Sequence, residues 1–221
     1  MTKSYLAALL VAVLASSTAN AEDGWVTLFD GKTLNGWSKV GLGRAEYKID
    51  DGTIHGFTVA GSPNTFLGSD QEYGDFELEF EVKVHDELNS GVQIRSREKT
   101  AEDGKDVKRF FGPQVEIESS PGQSGYVYGE ATGRGWLSKA PQDKDHSHNH
   151  IKNGEWNSYR IVAKGPRIQT WINGEPVEDL TDEEIFRTHP KGKIGLQVHG
   201  IGKRTDTLDV AWRNIRIKEL K

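Results

Sequence analysis

The sequence contains no cysteine, which excludes disulfides, thiol nucleophiles and zinc–thiolate sites. It also lacks a basic cluster, and its net charge of −5 at pH 7 makes nucleic acid or an anionic membrane surface an unsuitable partner. No Gly-x-Ser-x-Gly elbow occurs, and the glycines between Gly122 and Gly135 lack the Gly-Lys-Ser/Thr ending and the following helix of a phosphate loop. Serine nucleophile chemistry and a phosphate loop therefore have no support.

One long apolar run is present, at the N-terminus, and it is about half the roughly 20 residues that a membrane span needs. Lys3 precedes this run at residues 5–15, and Ala19-Asn20-Ala21 follows with the small-x-small pattern that signal peptidase cuts. We therefore expect a signal peptide over residues 1–21, cleavage near Ala21 and Glu22, and a secreted or periplasmic protein. Residues 22–221 contain no Pro/Ser-rich linker and are expected to form a single domain of unspecified oligomeric state.

Alternation of apolar and charged residues predicts an all-β fold. Residues 76–84 alternate throughout, which is typical of a strand with one buried and one wet face. Similar segments are 25–29, 47–49, 53–59, 92–97, 114–118, 159–163, 168–172, 193–198 and 208–217. Because the strands do not alternate with helices, an antiparallel sandwich of jelly-roll type is expected, with a concave outer face.

One short helix and two long irregular stretches interrupt this pattern. Thr181-Asp182-Glu183-Glu184 matches a capping box ahead of Ile185 and predicts a helix of about two turns. Residues 98–111 are rich in charge, and residues 119–152 are rich in glycine and aromatic residues. Long loops in a compact domain are usually functional or disordered.

The strand predicted at residues 114–118 carries the first candidate site. Val115 and Ile117 would point into the core, so that Gln114, Glu116 and Glu118 share the opposite face. Two carboxylates and an amide in one row can supply a base, an acid and a group that binds hydroxyls, as glycoside chemistry requires. The alternative is an ordinary wet strand face, like the row that contains Glu77, Glu79 and Glu81.

Two neighbouring segments place further polar residues on common faces. Gln93 and Arg95 would face together with Arg97, which we expect in solvent, and Gln197 would lie beside His199. A cation and an imidazole near two carboxylates would stabilise their charges, although His199 is equally compatible with a structural role.

Aromatic residues and histidines complete the candidates. Tyr126, Tyr128 and Trp136 could form a wall on which a sugar stacks. Strand-like contexts place four tryptophans in the core: Trp37, Trp156, Trp171 and Trp212. No cofactor is certain. A divalent metal has two weak candidate sites, the histidines between His146 and His150 and the Asp50-Asp51 turn, but no ligand spacing supports either.

Motifs along nearly the whole mature chain resemble those of the 3-keto-disaccharide hydrolase family, which is common in secreted bacterial proteins. They are Leu28-Phe29-Asp30-Gly31-Lys32-Thr33-Leu34 with Gly36-Trp37, Tyr73-Gly74-Asp75-Phe76-Glu77-Leu78, Asn89-Ser90-Gly91-Val92 with Arg95, Gly112-Pro113-Gln114-Val115-Glu116-Ile117-Glu118, Gly125-Tyr126-Val127-Tyr128-Gly129, Gly154-Glu155-Trp156-Asn157, Trp171-Ile172-Asn173-Gly174, Gly195-Leu196-Gln197-Val198-His199-Gly200 and Trp212-Arg213-Asn214-Ile215. Many members carry the Glu and Gln of residues 114–116 in the reverse order.

The resemblance implies a concanavalin A-like jelly-roll sandwich of two curved antiparallel sheets. It also implies an enzyme that cleaves glycosides oxidised to a ketone at C3, by removal of the C2 proton, elimination at C1 and addition of water. In that scheme Glu116 is the base, Arg95 or His199 stabilises the enolate, and Glu118 assists proton transfer. The sugar would be held by Gln114, Gln197, Tyr128 and Trp136.

Two other functions remain open at this point. A retaining glycosidase of the laminarinase kind also uses acidic residues spaced i, i+2 and i+4 on a jelly-roll strand, but Gln114 stands where its first carboxylate would be. A non-catalytic carbohydrate-binding module is the other, because one fold carries several functions. In each case the partner is a glycoside or an oligosaccharide.

Overall fold

The computed structural model describes residues 24–100, 107–142 and 147–221, and the predicted signal peptide lies outside these ranges. Two antiparallel sheets account for nearly all of the regular structure. No helix within the described ranges has the length and apolar character that a membrane crossing requires.

The eight-stranded sheet has the order β13-β12-β11-β6-β15-β4-β3, with β1 also paired to β15. The seven-stranded sheet has the order β10-β9-β8-β7-β14-β5-β2. The strands are β1 Trp25–Thr27, β2 Trp37–Val40, β3 Glu46–Asp50, β4 Thr53–Phe57, β5 Thr65–Tyr73, β6 Phe76–Val84, β7 Ser90–Thr100, β8 Val107–Ile117, β9 Val127–Glu130, β10 Gly135–Trp136, β11 Asn157–Lys164, β12 Arg167–Ile172, β13 Glu175–Thr181, β14 Gly192–Val198 and β15 Asp209–Glu219.

The core lies between the two sheets. Alternate residues of the seven-stranded sheet, such as Val92 and Val115, pack with alternate residues of the eight-stranded sheet, such as Leu78 and Trp212. Because side chains alternate across a strand, the residues between these core positions must face outwards. On the seven-stranded sheet, this outward face carries the candidate site.

Within the described ranges there is one α-helix, α1, which spans Glu183–Thr188, and a short 3-10 helix spans Ala140–Gln142. Asp182 is the N-cap of α1, and its Oδ1 accepts a hydrogen bond of 2.9 Å from the Ile185 N–H. The predicted helix is therefore confirmed, but its cap is one residue later than the capping box indicated, because Thr181 is the last residue of β13.

The charged stretch at residues 98–111, predicted to be irregular, instead extends β7 and β8 within the described ranges. The pairs Arg97↔Phe111, Glu98↔Phe110 and Lys99↔Arg109 continue the β7–β8 ladder. Gly112, with φ at 146°, marks a break in β8 between this part and the part that pairs with β9. That conformation suits a residue without a side chain.

The described β8 arm of this hairpin lies over the outer face of the seven-stranded sheet at Phe110. Phe110 packs against Gly195 on β14 and Gly68 on β5, where an added Cβ would lie 2.7 Å and 2.5 Å from its ring, respectively. These two glycines therefore form the seat on which Phe110 rests. The residue before it, Arg109, holds its guanidinium 5.9 Å from the Phe66 ring centroid.

The seven-stranded sheet is also strongly curved. Glu130 on β9 accepts a hydrogen bond of 3.4 Å from Asn64, the residue before β5. β9 and β5 are separated by β8, β7 and β14, a span of ~19 Å in a flat sheet. The Asn64 and Glu130 side chains are too short to bridge that span. They can meet only because the sheet curves towards its outer face. The outer face is therefore a groove, with the β7–β8 hairpin along part of it.

Candidate active site

Strand register brings two predicted groups of residues into one row across the groove. Trp136 pairs with Tyr128, and Tyr128 pairs with Gln114. Gln114 in turn pairs with Gln93. Directly opposed residues share a face with Cβ atoms about 5 Å apart. The predicted aromatic wall therefore lies beside the predicted polar strand, with the rings of Tyr128 and Trp136 5.3 Å apart and edge to face.

A second row runs beside the first through Glu116, Gly91, Gln197 and Phe66. Gly91 contributes no side chain, and the Gln114 side chain lies in the space that one would fill. A Cβ added at Gly91 would be 2.6 Å from the Gln114 Cδ. The glycine therefore allows Gln114 to lie flat between Glu116 and Gln197.

Glu116 is held by a network of neutral amides. Its Oε1 accepts 2.7 Å from Gln114 Nε2, and its Oε2 accepts 3.1 Å from Asn89 Nδ2. The Oε1 of Gln114 accepts 2.6 Å from Gln93 Nε2 and 2.9 Å from Gln197 Nε2. The three bonds that involve Gln114 fix the orientation of its amide, which must present its NH₂ group to the carboxylate.

Burial gives Glu116 the protonation behaviour of a base that works near neutral pH. The residue is only 7% exposed, and this burial raises its pKa to about 7. The amide donors of Gln114 and Asn89 lower the pKa, and the charge of Glu118 raises it. A carboxylate that ionises near neutral pH is well matched to proton abstraction there.

Glu118 follows β8 and is half-buried. Its carboxylate accepts a hydrogen bond from the Gln123 N–H, and its own N–H donates to Ser124 Oγ over 2.8 Å. These bonds close the loop after β8, so Glu118 has a structural task beside Glu116. Its participation in proton transfer stays a prediction.

His199 directly follows β14 and carries its proton on the inner ring nitrogen. Nδ1 lies 2.9 Å from the Gly200 carbonyl oxygen, which can only accept, so Nδ1 must donate. Burial lowers the His199 pKa, and the positive charge of Arg109 lowers it further. The neutral ring therefore presents a lone pair at Nε2, which accepts hydrogen bonds and cannot donate one to an enolate.

Arg95 lies away from the Glu116 network. Its guanidinium donates 2.7 Å to each of the carbonyl oxygens of Gly74 and Gly165, and 2.8 Å to Asp75 Oδ1. It also stacks on the Phe186 ring at 5.2 Å and is 2% exposed. The structure thus places Arg95 at the junction of β5, β6 and the β11–β12 turn.

The predicted common face of Gln93, Arg95 and Arg97 is wrong. The β7 register shifts between Gln93 and Arg97, and Arg95 has φ at 48°. This irregularity makes Ser96, whose hydroxyl donates to Gln93 Oε1, share the groove face with Gln93. Arg97 is exposed, as predicted.

The sequence interpretation missed Arg109 and Asn89 as site residues. Arg109 forms an ion pair with Glu130, and its Nε is buried without a partner among the described residues. Asn89 donates directly to Glu116. The one available signal for Arg109 was the apolar Phe110-Phe111 pair, which indicates that the charged stretch returns to strand.

The candidate metal sites receive no support from the described residues. His146 lies outside them, and within them no group of three or more His, Asp or Glu side chains is suitably placed. His148 and His150 stack on each other with ring centroids 4.4 Å apart, and His148 Nε2 bonds to the Ser124 carbonyl oxygen.

The core assignment of the tryptophans is confirmed for Trp37 and Trp212 and wrong for the other two. Trp156 and Trp171 are half-buried because arginine guanidinium groups stack on them from the outer face of the eight-stranded sheet. A cavity of about 760 Å³ lies on that face beside Trp171. It is lined by Glu81, Glu79 and Arg216, the ion-pair partner of Glu79, and lies on the opposite side of the sandwich from Glu116.

Comparison with known proteins gives two kinds of match. A 3-keto-disaccharide hydrolase of Bacteroides thetaiotaomicron is 27% identical over 241 aligned residues, covering 90% of this chain and 79% of the relative. A proposed glycosyl hydrolase from Parabacteroides distasonis superimposes with a TM-score of 0.62 at 22% identity, covering 90% and 94% of the two chains. A Bacillus subtilis carbohydrate-binding module of type CBM66 gives 0.52 at 15% identity, covering 83% and 96%.

These solved structures confirm the jelly-roll type of sandwich, and they establish the fold alone. The family assignment rests on sequence. The family model of the 3-keto-alpha-glucoside-1,2-lyase-like domain matches residues 24–218, which include every predicted site residue and all of the strands except the last residue of β15. This match also confirms the prediction of a carbohydrate-active enzyme. The chain belongs to the 3-keto-alpha-glucoside-1,2-lyase-like family.

Proposed function

We propose that the protein cleaves glycosides whose sugar carries a ketone at C3, by elimination followed by addition of water. The observation that carries this proposal is the state of Glu116, a buried carboxylate with a pKa of about 7, held by neutral amides in a curved groove. An ordinary glycoside has no C–H bond acidic enough for such a base. A ketone at C3 acidifies the proton at C2 and provides one.

The proposed reaction balances without an external oxidant. Glu116 takes the C2 proton, and the C–H electron pair forms an enolate with its charge on the C3 oxygen. The enolate then collapses to the ketone, which forms a C1=C2 double bond and breaks the bond between C1 and the aglycone oxygen. The aglycone oxygen takes up a proton and leaves as an alcohol. Water adds to C1 and a proton returns to C2, which completes net hydrolysis.

The neighbouring residues would position the base and the sugar. Gln114 and Asn89 bind both oxygens of Glu116 and aim them into the groove. Tyr128 and Trp136 provide an aromatic edge in the next row. Gln197 Oε1 is buried without a donor among the described residues, and a sugar hydroxyl that reached it would supply one. The predicted signal peptide would place the reaction outside the cytoplasm.

A labelling experiment tests the proposal directly. Purified protein is incubated with a 3-keto glucoside and with the unoxidised glucoside in D₂O, with and without a chelator, and products are followed by mass spectrometry. We expect aglycone release from the keto substrate alone, with deuterium at C2 of the hydrated product. A substrate deuterated at C2 should react several-fold more slowly if proton removal limits the rate.

The two rival functions give different results in the same experiment. A laminarinase-like glycosidase would release the aglycone from the unoxidised glucoside and leave C2 unlabelled. A binding module would release nothing from either substrate. Release from the keto substrate without deuterium at C2 would contradict the elimination route while leaving hydrolysis of keto sugars in place.

The pH dependence provides a separate check on Glu116. Because a base acts in its ionised form, kcat/KM should rise tenfold per pH unit below the Glu116 pKa and level off above about pH 7. Kinetics from pH 4.5 to 9 with a small keto glucoside measure this limb. A profile that is already level from about pH 5 upwards would assign the base to an exposed carboxylate with the ordinary glutamate pKa of about 4.3.

A further inference from the structure

We infer that Arg109 binds the oxygen at C3 of the substrate, and that the Glu130 carboxylate holds that position until the substrate replaces it. This inference rests on the proposed function, because that function requires a group for the enolate charge. It assigns an anionic-oxygen subsite to Arg109 on β8 and Glu130 on β9, which the sequence interpretation did not include.

The two groups predicted for the enolate are unsuited to it in the structure. The Arg95 guanidinium already donates to the carbonyl oxygens of Gly74 and Gly165 and to the Asp75 carboxylate. His199 donates from Nδ1 to the Gly200 carbonyl oxygen, which leaves Nε2 as an acceptor. An enolate needs a hydrogen-bond donor, and a cation is the strongest one available.

Arg109 stands at the right place in the groove. Phe110 is seated on Gly195 and Gly68, so the adjacent Arg109 is held over Phe66. Phe66 belongs to the row that begins with Glu116. Proton abstraction beside a ketone needs the base and the donor at neighbouring atoms of the sugar. A sugar bound in the curved groove between Glu116 and Arg109 would present its C2 proton to the carboxylate and its C3 oxygen to the guanidinium.

The present partners of Arg109 leave it with unused binding capacity. Glu130 pairs with the guanidinium and also accepts 3.4 Å from Asn64 Nδ2. Nε is buried without a partner among the described residues. The Arg109 side chain is about one-third exposed, but its buried Nε–H favours an additional acceptor, because an unmade buried hydrogen bond is costly. Glu130, itself 8% exposed, therefore resembles an internal substitute for an anionic ligand.

This arrangement has opposite consequences for the two members of the pair. Loss of Arg109 removes the donor, so an anionic oxygen at C3 should bind more weakly. Loss of the Glu130 charge frees the donor, so the same ligand should bind more tightly. A merely structural ion pair would give the same direction of change for both variants.

The test uses glucose 3-sulfate as the probe, because it fixes a negative oxygen at C3, with glucose as the neutral reference. Calorimetry measures both ligands with wild type, Arg109→Gln, Glu130→Gln and two matched controls on the far sheet, Arg167→Gln and Asp179→Asn. The controls remove the members of an exposed pair on β12 and β13. Thermal melts verify folding, and Arg109→Lys serves if Arg109→Gln does not fold.

We expect Arg109→Gln to weaken binding of the sulfate at least tenfold and binding of glucose less than twofold, and Glu130→Gln to tighten binding of the sulfate at least threefold. Both controls should match wild type. If Arg109→Lys is used, a sulfate affinity at least threefold weaker is expected, because lysine cannot form the planar fork. Equal losses for both ligands, weaker sulfate binding by Glu130→Gln, or no sulfate binding by wild type would overturn the inference.

Turnover of the 3-keto glucoside separates this inference from the proposed function. We expect Arg109→Gln to lower kcat at least 100-fold with a much smaller change in KM. Full kcat in folded Arg109→Gln would overturn the enolate role while elimination stands. If wild type fails to convert the keto substrate but the sulfate pattern holds, the proposed function fails and the anionic subsite stands.

Discussion

Replacing Glu116 with glutamine is expected to lower kcat on the 3-keto substrate by about 10²–10⁴-fold, the usual contribution of a positioned base. Glutamine has nearly the same shape and cannot accept the C2 proton. Binding of the unoxidised glucoside should change little, because the groove keeps its form. Steady-state kinetics and calorimetry on the same preparation measure the two effects.

Glu79→Gln is the matched control for this variant. Glu79 has the same residue type on a wet strand face of the other sheet, where it pairs with Arg216. We expect wild-type kcat from it. Equal turnover by Glu116→Gln and Glu79→Gln would show that the row at residues 114–118 is an ordinary strand face and that another group is the base.

Glu116→Gln should not destabilise the protein at alkaline pH. Because burial raises the Glu116 pKa from 4.5 to about 7, the fold favours the protonated form. That contribution is fully present below pH 4.5 and is lost as pH rises through 7, a cost of about 3 kcal/mol in wild type. Glutamine avoids this cost but leaves one amide donor of Gln114 or Asn89 facing an NH₂ group, which costs about 1–3 kcal/mol.

Denaturation at several pH values measures the net result. We expect Glu116→Gln to gain stability relative to wild type between pH 5 and pH 8, and to equal or exceed it at pH 8. A difference that stays constant over that interval would mean that Glu116 ionises at an ordinary carboxylate pKa in the folded protein.

Replacing Arg95 with alanine is expected to destabilise the protein by about 3–5 kcal/mol, as removal of one partner from a buried ion pair usually does. The change leaves the Gly74 and Gly165 carbonyl oxygens without this donor, and leaves the Asp75 carboxylate without its cation. Chemical denaturation measures the loss. Arg97→Ala is the control, expected within about 0.5 kcal/mol of wild type because Arg97 is exposed.

Kinetics decide whether Arg95 has a second task. At a temperature where Arg95→Ala is folded, kcat on the keto substrate should stay within a fewfold of wild type. A stable Arg95→Ala protein with kcat reduced a hundredfold would restore the enolate role that its sequence context suggested, and would weaken the case for Arg109.

Strands with two distinct faces could be predicted from the sequence, and others could not. β6 alternates throughout and was predicted with its observed bounds, Phe76–Val84. β5, at Thr65–Tyr73, was missed because it lacks the alternation of apolar and polar residues. Its outer face carries Phe66 and Gly68, which are covered by Phe110. β13 was missed because it is an edge strand with little burial.

The candidate site was predictable where it depends on spacing within one strand. Gln114 and Glu116 share a face as expected, but their burial depends on the returning hairpin, which local spacing does not reveal. Arg95 leaves its predicted face through a positive φ, which its residue type does not indicate. Arg109 acquires its role from Phe66 and Glu130, which are distant in sequence and meet it only in the folded sheet.

The packing of Phe110 on Gly68 and Gly195 should make these three positions evolve together. An alanine at Gly68 or Gly195 would drive the phenylalanine ring off the sheet, and Arg109 with it. Neither glycine needs to touch a ligand for this to matter. Across relatives of this chain, positions 68, 110 and 195 should therefore change together, and a side chain at either glycine should mark a protein whose groove has been reshaped for a different sugar.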